Sequence, residues 1–375
     1  MKKLLIVTAF VPSRVSAGEN YTRQLINDLA QDNLVDLIFF RYRDDKDYLP
    51  ENQNIRITRV FRNSLLIKIV NLLMAPVLFP LFTVRFNLLR LAYLRRVVRK
   101  NSYDTVIFDF SQTFLYARLL KDDVPVILNI HDVIKQRYSR IYRGVFSPFC
   151  HVTEKYILSK TYHQIFAFSD KDRNLLKNEY SVDAEVNGFY IDPEIRNICP
   201  DYAGDYFIFF ANWKRSDNST GLKRFLKLSY PLLSDNIKIK IIGPYMPEDI
   251  RQNISNHRNI EYLGFVENPY HLISNAKALV SPILTGAGVK VKVLESLACG
   301  THVIGFPISF EGFDEKFNRY FTICNSFTEL AHSLNIFEIT LNEKRVLRDD
   351  FHQTYHNPAI SNLINSSMLQ KNKKR

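Results

Sequence analysis

The chain has 375 residues, 46% of them hydrophobic, and a formal net charge of +12. That length and content fit two ordinary globular domains, each able to bury a core. Four scattered cysteines, Cys150, Cys199, Cys299 and Cys324, form no C-x-x-C and have no histidines at metal spacing; this excludes a structural zinc site and suits a reducing cytosol.

Met1-Lys2-Lys3 leads into LLIVTAFV, too short for a signal-peptide core followed by a cleavage site. Residues 3–9 read as a buried strand. The loop 10–18 leads to Glu19-Asn20-Tyr21 and a helix to about Gln31, with Leu25, Ile26 and Leu29 on one side. Strands over 34–41 and 55–60 follow, with a charged loop 44–47 between them. This is the start of an open α/β sheet. No G-x-G-x-x-G follows the first strand, which argues against a dinucleotide site in this half.

Charge is placed unevenly. From Asn52 to Tyr103 there is no Asp or Glu, against ten cations: Arg56, Arg59, Arg62, Lys68, Arg85, Arg90, Arg95, Arg96, Arg99 and Lys100. Such a field attracts polyanions, either nucleic acid or an anionic membrane face. Within it, 69–84 is uncharged and carries Pro76 and Pro80. A spanning helix needs roughly 20 apolar residues and tolerates prolines poorly, so the stretch does not read as one. Two readings stay open: a pair of short helices packed onto the domain, or a surface dipping into a bilayer interface. Residues 85–100 read as a basic amphipathic helix, Leu88, Leu91 and Leu94 against Arg90, Arg95 and Arg99. The missing acids favour anionic lipid or a pyrophosphate-linked acceptor.

Strands over 103–108 and 124–130 follow. The second ends in Asn129-Ile130-His131-Asp132, at the carboxyl edge where open α/β sheets hold ligands. His131 there is either a core or capping histidine or part of a site. A last strand of this half covers 165–168, and Ser169-Asp170 reads as a helix N-cap. Residues 182–202 lack periodicity and carry Gly188, Pro193 and Pro200, the best domain boundary. The second half opens with a strand over 206–211 and a loop through Lys214, Arg215 and Asn218. A helix, a strand over 237–243 and a short strand over 260–263 come next.

The stretch from Ala278 to Gly305 organises the rest. It reads as strand, small-residue loop Thr285-Gly286-Ala287-Gly288, helix and strand. Val289, Val291 and Val293 alternate as in a strand. Val289, Val293 and Leu297 nevertheless form an apolar stripe at helical spacing, and Gly300 sits like a glycine past a helix end, so we read a helix. Its N-terminus is an anion site, to which Lys290 and Lys292 add charge. Glu295 offers a carboxylate to hydroxyl donors such as a ribose diol. Taken alone, the loop also fits a packing helix with a tight turn.

Gly286, Gly288, Lys292, Glu295, Ala298 and Gly300, followed by a hydrophobic strand and Glu311-Gly312, stand in the register G-x-G-x-x-x-K-x-x-E-x-x-A-x-G. This resembles the donor-nucleotide signature of the GT-B glycosyltransferases of the family-4, "group 1" type. Gly243 and Gly264-Phe265-Val266 match its turns as well. The resemblance covers 206–312 well and the N-terminal half in outline. It implies an α/β GT-B fold: two Rossmann-like, doubly wound domains facing a central cleft. An acceptor-binding domain would span 1–185, with a membrane-facing segment over 60–100. A nucleotide-sugar domain would span 203–345, and a C-terminal helix and basic tail 346–375.

The resemblance also implies roles. Glu295 would hold the ribose, and backbone N–H groups around Gly286, Ala287 and Gly288 the diphosphate and sugar. Lys292 and Lys290 would neutralise the leaving diphosphate. His131 would lie near the reacting sugar, and the loop Ser16-Ala17-Gly18-Glu19 would face the cleft. Two departures stand out. Many members carry a glutamate where Ala287 stands. The Arg and Lys that often clamp diphosphate are replaced by Lys214 and Arg215 in another local pattern. Metal-dependent GT-A transferases hold a divalent ion with a D-x-D triplet; Asp45-Lys46-Asp47 and Asp170-Lys171-Asp172 read as decoys, in a charged loop and at a helix start. The expectation is therefore a transferase without metal or cofactor, probing a nucleotide-sugar co-substrate and working with retention. It would build a lipid-linked or cell-surface polysaccharide of O-antigen, capsule or lipopolysaccharide type. It would sit in the cytoplasm, peripheral to the inner face of the cell membrane, with no nucleic-acid partner. A nucleotide-sugar epimerase and a non-catalytic binder of sugar nucleotide or polyanion are the alternatives.

Overall fold

A computed structural model describes residues 1–375 except 44, 46, 122–123, 141–143, 189, 287, 356–357 and 367–375. Ala287, Lys46 and the basic tail residues Lys371, Lys373, Lys374 and Arg375 therefore lie outside the described residues. The chain divides into two compact units. One is Met1–Tyr190 joined by the C-terminal helix Ala359–Asn365; the other is Ile191–His356.

The first unit is built on seven parallel strands: β1 (Lys3–Thr8), β2 (Leu34–Arg41), β3 (Ile55–Arg62), β4 (Thr105–Asp109), β5 (Val126–Ile130), β6 (Gln164–Ala167) and β7 (Glu185–Val186). Their order is β3-β2-β1-β4-β5-β6-β7. The sequence places the last strand at 165–168; the two-residue β7 adds to it, inside a stretch with no readable period. Central strands β4 and β5 are buried at every residue, as a parallel sheet covered on both faces requires. Strand order reverses direction between β1 and β4, so the loops after these two strands border the crevice at the carboxyl edge.

The second unit repeats the plan with six strands: β8 (Tyr206–Phe210), β9 (Lys238–Ile242), β10 (Ile260–Gly264), β11 (Ala278–Ser281), β12 (His302–Gly305) and β13 (Phe321–Ile323), ordered β10-β9-β8-β11-β12-β13. Here the switch lies between β8 and β11, paired through Ile208 and Leu279.

The C-terminal region departs from the sequence reading. Within 346–375 the described residues divide between the two units. The helix Leu341–Tyr355 belongs to the second unit, while Ala359–Asn365 packs on the first. There Ile360 and Ile364 are fully buried, Ile360 N–H donates to Asn187 Oδ1 (3.1 Å), and Asn33 Nδ2 donates to Asn365 Oδ1 (3.1 Å).

The acid-free segment forms the helices Leu65–Met74, Pro80–Thr83 and Leu88–Asn101. In the last of these, Leu91 and Leu94 are buried, but Leu88 is exposed, contrary to the expected stripe. Arg90 is not a solvated cation: its guanidinium donates to Asn63 Oδ1 (2.9 Å) and to the Arg62 carbonyl (2.8 Å). Among the described residues no helix is long and apolar enough to cross a membrane.

Candidate functional site

In the second unit the site is assembled by the loops after β8 and β11. The loop after β8 is pinned by Trp213, whose Nε1–H donates to the Ile242 carbonyl (3.1 Å) and whose N–H donates to the Pro244 carbonyl (3.0 Å). Gly243 makes this possible. At φ +124°, a Cβ there would stand 1.8 Å from the Ala211 carbonyl oxygen. The loop thus enters the helix Ser216–Leu228 on a fixed path.

The loop after β11 carries Gly286 (φ +135°) and Gly288 (φ +70°), a backbone that side-chain-bearing residues rarely adopt. It leads into a helix, Val291–Ala298, which holds Val293 and Leu297 of the expected stripe and ends before Gly300; Val289, the first of that stripe, lies before the helix. Gly300 has φ +75° and leaves no room for a Cβ, which would meet the Lys344 carbonyl at 2.6 Å. Val293, Leu294 and Leu297 are fully buried. No side chain caps this helix N-terminus.

Three cations gather there. Lys292 Nζ donates to Asn218 Oδ1 (3.1 Å), and Asn218 Nδ2 donates to the Asn212 carbonyl (3.0 Å). Asn218 so ties the β11 helix to the β8 loop. Lys290 Nζ folds back to the Gly288 carbonyl (2.5 Å), bracing the glycine loop. Arg215 pairs with Asp217 (2.9 Å) at the start of the other helix. Desolvation first, then repulsion from Arg215 and Lys290 against the pull of Asp217, push the Lys292 ammonium down to about 7. Positive charge at a helix N-terminus that no side chain caps suits a dianionic group such as a diphosphate. Lys214 is exposed and lies 5.9 Å from the centroid of Tyr245.

Glu295 lies one turn further along. It is 6% exposed and receives the Tyr270 hydroxyl at 3.4 Å. Burial first, then the nearby buried Asp192, push its carboxyl up to about 8; the Tyr270 hydrogen bond opposes this. A carboxyl poised there can both accept from and donate to a vicinal diol.

In the first unit, His131 follows β5 and meets Asp109, the last residue of β4. His131 Nε2 is 2.7 Å from Asp109 Oδ1. Asp109 is fully buried and also accepts from Thr8 (2.9 Å), Thr22 (2.6 Å) and Asn129 (2.8 Å). Burial alone would raise its pKa; His131 and these donors outweigh that and hold it below its ordinary value. Phe110, at φ +65°, stacks on the imidazole at 3.8 Å between centroids, with Tyr21 edge-on at 5.2 Å. The imidazole thus has a carboxylate behind it and aromatic walls, which fixes its ring. Gly18 lies under Phe110: a Cβ there would stand 3.0 Å from the ring.

The second D-x-D triplet is engaged otherwise. Ser169 caps its helix, accepting from Asp172 N–H (3.1 Å) and donating to the buried Asp172 carboxylate (2.6 Å), while Asp170 pairs with Arg173 (2.8 Å). Asp45 of the first accepts from Tyr42 N–H at 2.7 Å.

Sequence reasoning missed Asn218, Asp109, Asp192 and Tyr270. Asp109 carried a usable signal, an acid closing an apolar strand in TVIFD beside the switch point. Asn218 carried none, because its partner Lys292 is 74 residues away.

Residues 204–334 match the family model described as Glycosyl transferases group 1, and residues 18–187 match Glycosyltransferase Family 4. No curated protein matches the chain. Among solved structures it is similar to sucrose-phosphate synthase from Thermosynechococcus elongatus, at 13% identity over 97% of each chain and a TM-score of 0.72. It is similar to HepE of Anabaena, solved in complex with UDP and glucose, at 12% identity over 99% of this chain and 100% of that one, TM-score 0.67. It is also similar to WaaG, a glycosyltransferase involved in lipopolysaccharide biosynthesis, at 10% identity over 96% and 98%, TM-score 0.65. At such identities the likeness speaks for the fold: an α/β chain with two Rossmann-like units, as in GT-B structures.

Proposed function

Since the chain belongs to the family-4, group 1 glycosyltransferases of GT-B type, we propose that it moves a sugar from a nucleotide-sugar donor to a lipid-linked or cell-surface polysaccharide acceptor. The observation that carries the donor assignment is the gathering of Arg215, Lys290 and Lys292 at an uncapped helix N-terminus, with the buried Glu295 one turn on. The diphosphate lies against Lys292 and Lys290 and the backbone of Gly286 and Gly288, with Arg215 and Lys214 on its outer side. Glu295 holds the ribose hydroxyls. HepE, crystallised with UDP and glucose, supports this class of donor.

The reaction joins an acceptor hydroxyl oxygen to the anomeric carbon as the bond from that carbon to the diphosphate breaks. The acceptor proton passes to a donor phosphate oxygen on the same face, which gives retention and needs no protein nucleophile. Lys292 and its neighbours stabilise the charge that builds on the leaving diphosphate, the task a divalent metal performs elsewhere. On this reading the transferase is metal-independent. His131, held by Asp109, serves on this reading as a hydrogen-bonding group to the reacting sugar. Segment 60–100 brings the enzyme to an anionic membrane surface, where a lipid-linked acceptor is found.

A thermal-shift panel of UDP-, GDP- and dTDP-sugars tests the reading, because a ligand of the native state raises its melting point. The wild type should respond to one nucleotide class and Glu295→Ala to none. A response retained in full by Glu295→Ala refutes the donor site. An epimerase would turn over donor with no acceptor present, and a non-catalytic binder would shift without any turnover.

A further inference from the structure

Two helices of the first unit turn apolar side chains to solvent. The first has a polar residue as its buried one, while the second also packs Cys150, Ile157 and Leu158 into the core. In Leu65–Met74 the fully buried residue is Asn71, which donates to the Val84 carbonyl (3.0 Å) and accepts from Asn87 Nδ2 (3.2 Å). Its apolar residues Leu66, Ile69, Val70 and Leu73 point to solvent. In Ser147–Leu158 the inward face includes the carboxylate of Glu154, which accepts from Ile134 N–H (2.9 Å), Lys135 N–H (3.1 Å) and the Tyr180 hydroxyl (2.6 Å). Its outward face carries Phe149, Val152 and Tyr156 together with the exposed Lys155.

Phe79, five residues past the end of the first helix, contacts the second. Its N–H donates to Thr153 Oγ1 (2.8 Å), and its ring lies 5.5 Å from that of Phe149. Val77, two residues before, is exposed, in the linker between the first helix and this contact. Leu66, Leu73, Val77 and Val152 are between 63% and 78% exposed, a cost in water that scattered surface residues do not carry together.

Charge decides the occupant. The surrounding segment, 52–103, has no acid; Arg85 is buried, Arg90 is engaged within the fold and Arg56 pairs with Asp36, while Arg96, Arg99 and Lys100 are exposed. On the helix Leu88–Asn101 the exposed face runs from Leu88 and Leu89 to Arg96, Arg99 and Lys100, apolar at the end nearest Asn71 and basic at the other. Arg118 lies 4.8 Å from the Tyr156 ring centroid. An apolar face rimmed by cations matches acyl chains beneath anionic headgroups. A second copy would bring the same +12 charge and repel.

We propose that Leu65–Met74 and Ser147–Leu158 together form a platform that inserts its apolar side chains into the interface of an anionic bilayer. The proposal rests on the membrane-side reading above and extends it: cations attract the protein, and these two faces hold it by burial in the acyl region. Helix Ser147–Leu158, far from the basic segment in sequence, is an equal part of the platform.

The test uses the full chain and vesicles of phosphatidylglycerol with phosphatidylcholine, or of phosphatidylcholine alone. The protein's one tryptophan, Trp213, is buried in the second unit and gives a constant background. In Leu66→Trp and Val152→Trp, the added emission should shift to the blue on anionic vesicles. Leu66→Glu with Val152→Glu should lose flotation in high salt while keeping the nucleotide-sugar thermal shift, which shows the fold and donor site intact. Flotation that vanishes in high salt for the wild type and is unaltered by the glutamates would leave charge attraction standing and overturn insertion. Failure to float at any salt overturns both. Dimers in light scattering that Leu66→Glu dissociates, with no emission shift on vesicles, would assign the platform to self-association and also overturn it.

Discussion

Lys292 Nζ and Asn218 Oδ1 stand 3.1 Å apart, although one begins the helix after β11 and the other lies in the first turn of the helix after β8. This contact ties together the two chain ends of the sheet's switch point. It also aims an ammonium whose neighbours are Arg215 and Lys290.

Lys292→Ala should lower kcat/KM by about 10²–10³-fold, the loss seen when one charge-stabilising donor is removed. Asn218→Ala should lower it roughly tenfold, the worth of one hydrogen bond to a charged group. Steady-state kinetics check both. Equal effects from the two substitutions, or none from Lys292→Ala, would contradict the arrangement.

Donor affinity should fall as pH rises through neutrality. Lys292 is pushed down to about 7, so above that the unliganded amine is increasingly neutral. A bound diphosphate restores the charge, so binding takes up a proton. Titration calorimetry in two buffers of different ionisation enthalpy measures the uptake, and Lys292→Met should abolish it.

Glu295 links stability to pH with a definite sign. Its carboxyl is pushed up to about 8 in the folded protein by burial, then by Asp192. In the unfolded chain it ionises in the ordinary carboxylate range. Its contribution is therefore fully present at acid pH and lost as pH rises toward the folded value. Wild type should lose melting temperature relative to Glu295→Gln between acid and mildly alkaline pH. Parallel melting curves for the two would refute this.

Asp109→Asn should cost roughly 1–3 kcal/mol, since the amide turns a donor toward groups that now donate to the carboxylate. Urea denaturation reads the stability. If His131 contacts the reacting sugar, kcat should fall more than KM rises, and His131→Ala should add little to the loss.

Transfer should survive prolonged treatment with EDTA at an unchanged rate. Loss on chelation and recovery with Mg²⁺ or Mn²⁺ would overturn metal independence, and with it the assignment of the cations to the leaving group.

Much of the site was legible because its demands are local. Gly286, Gly288 and Gly300 stand where positive φ is needed, and such needs show in residue type. The helix Val291–Ala298 was legible from one apolar stripe despite a competing alternation. Strand ends came within a few residues, since fully buried parallel strands read as unbroken apolar runs. The return of Ala359–Asn365 to the first unit was not legible, because a short amphipathic helix can pack on either unit. Nor was the exposure of Leu65–Met74, where an apolar run gave no hint that Asn71 would be the buried residue.

What the sequence by itself determined is the alternation of strands and helices, the glycine loop, the acid-free basic segment and the family register. Each depends on neighbours within a few residues or on composition. Only the tertiary structure decided that Asn218 holds Lys292, that Asp109 backs His131, and that two helices turn apolar faces outward. Sheet order brings distant strand ends together, and a side chain's partner depends on what packs opposite it, so neither is written in the local pattern.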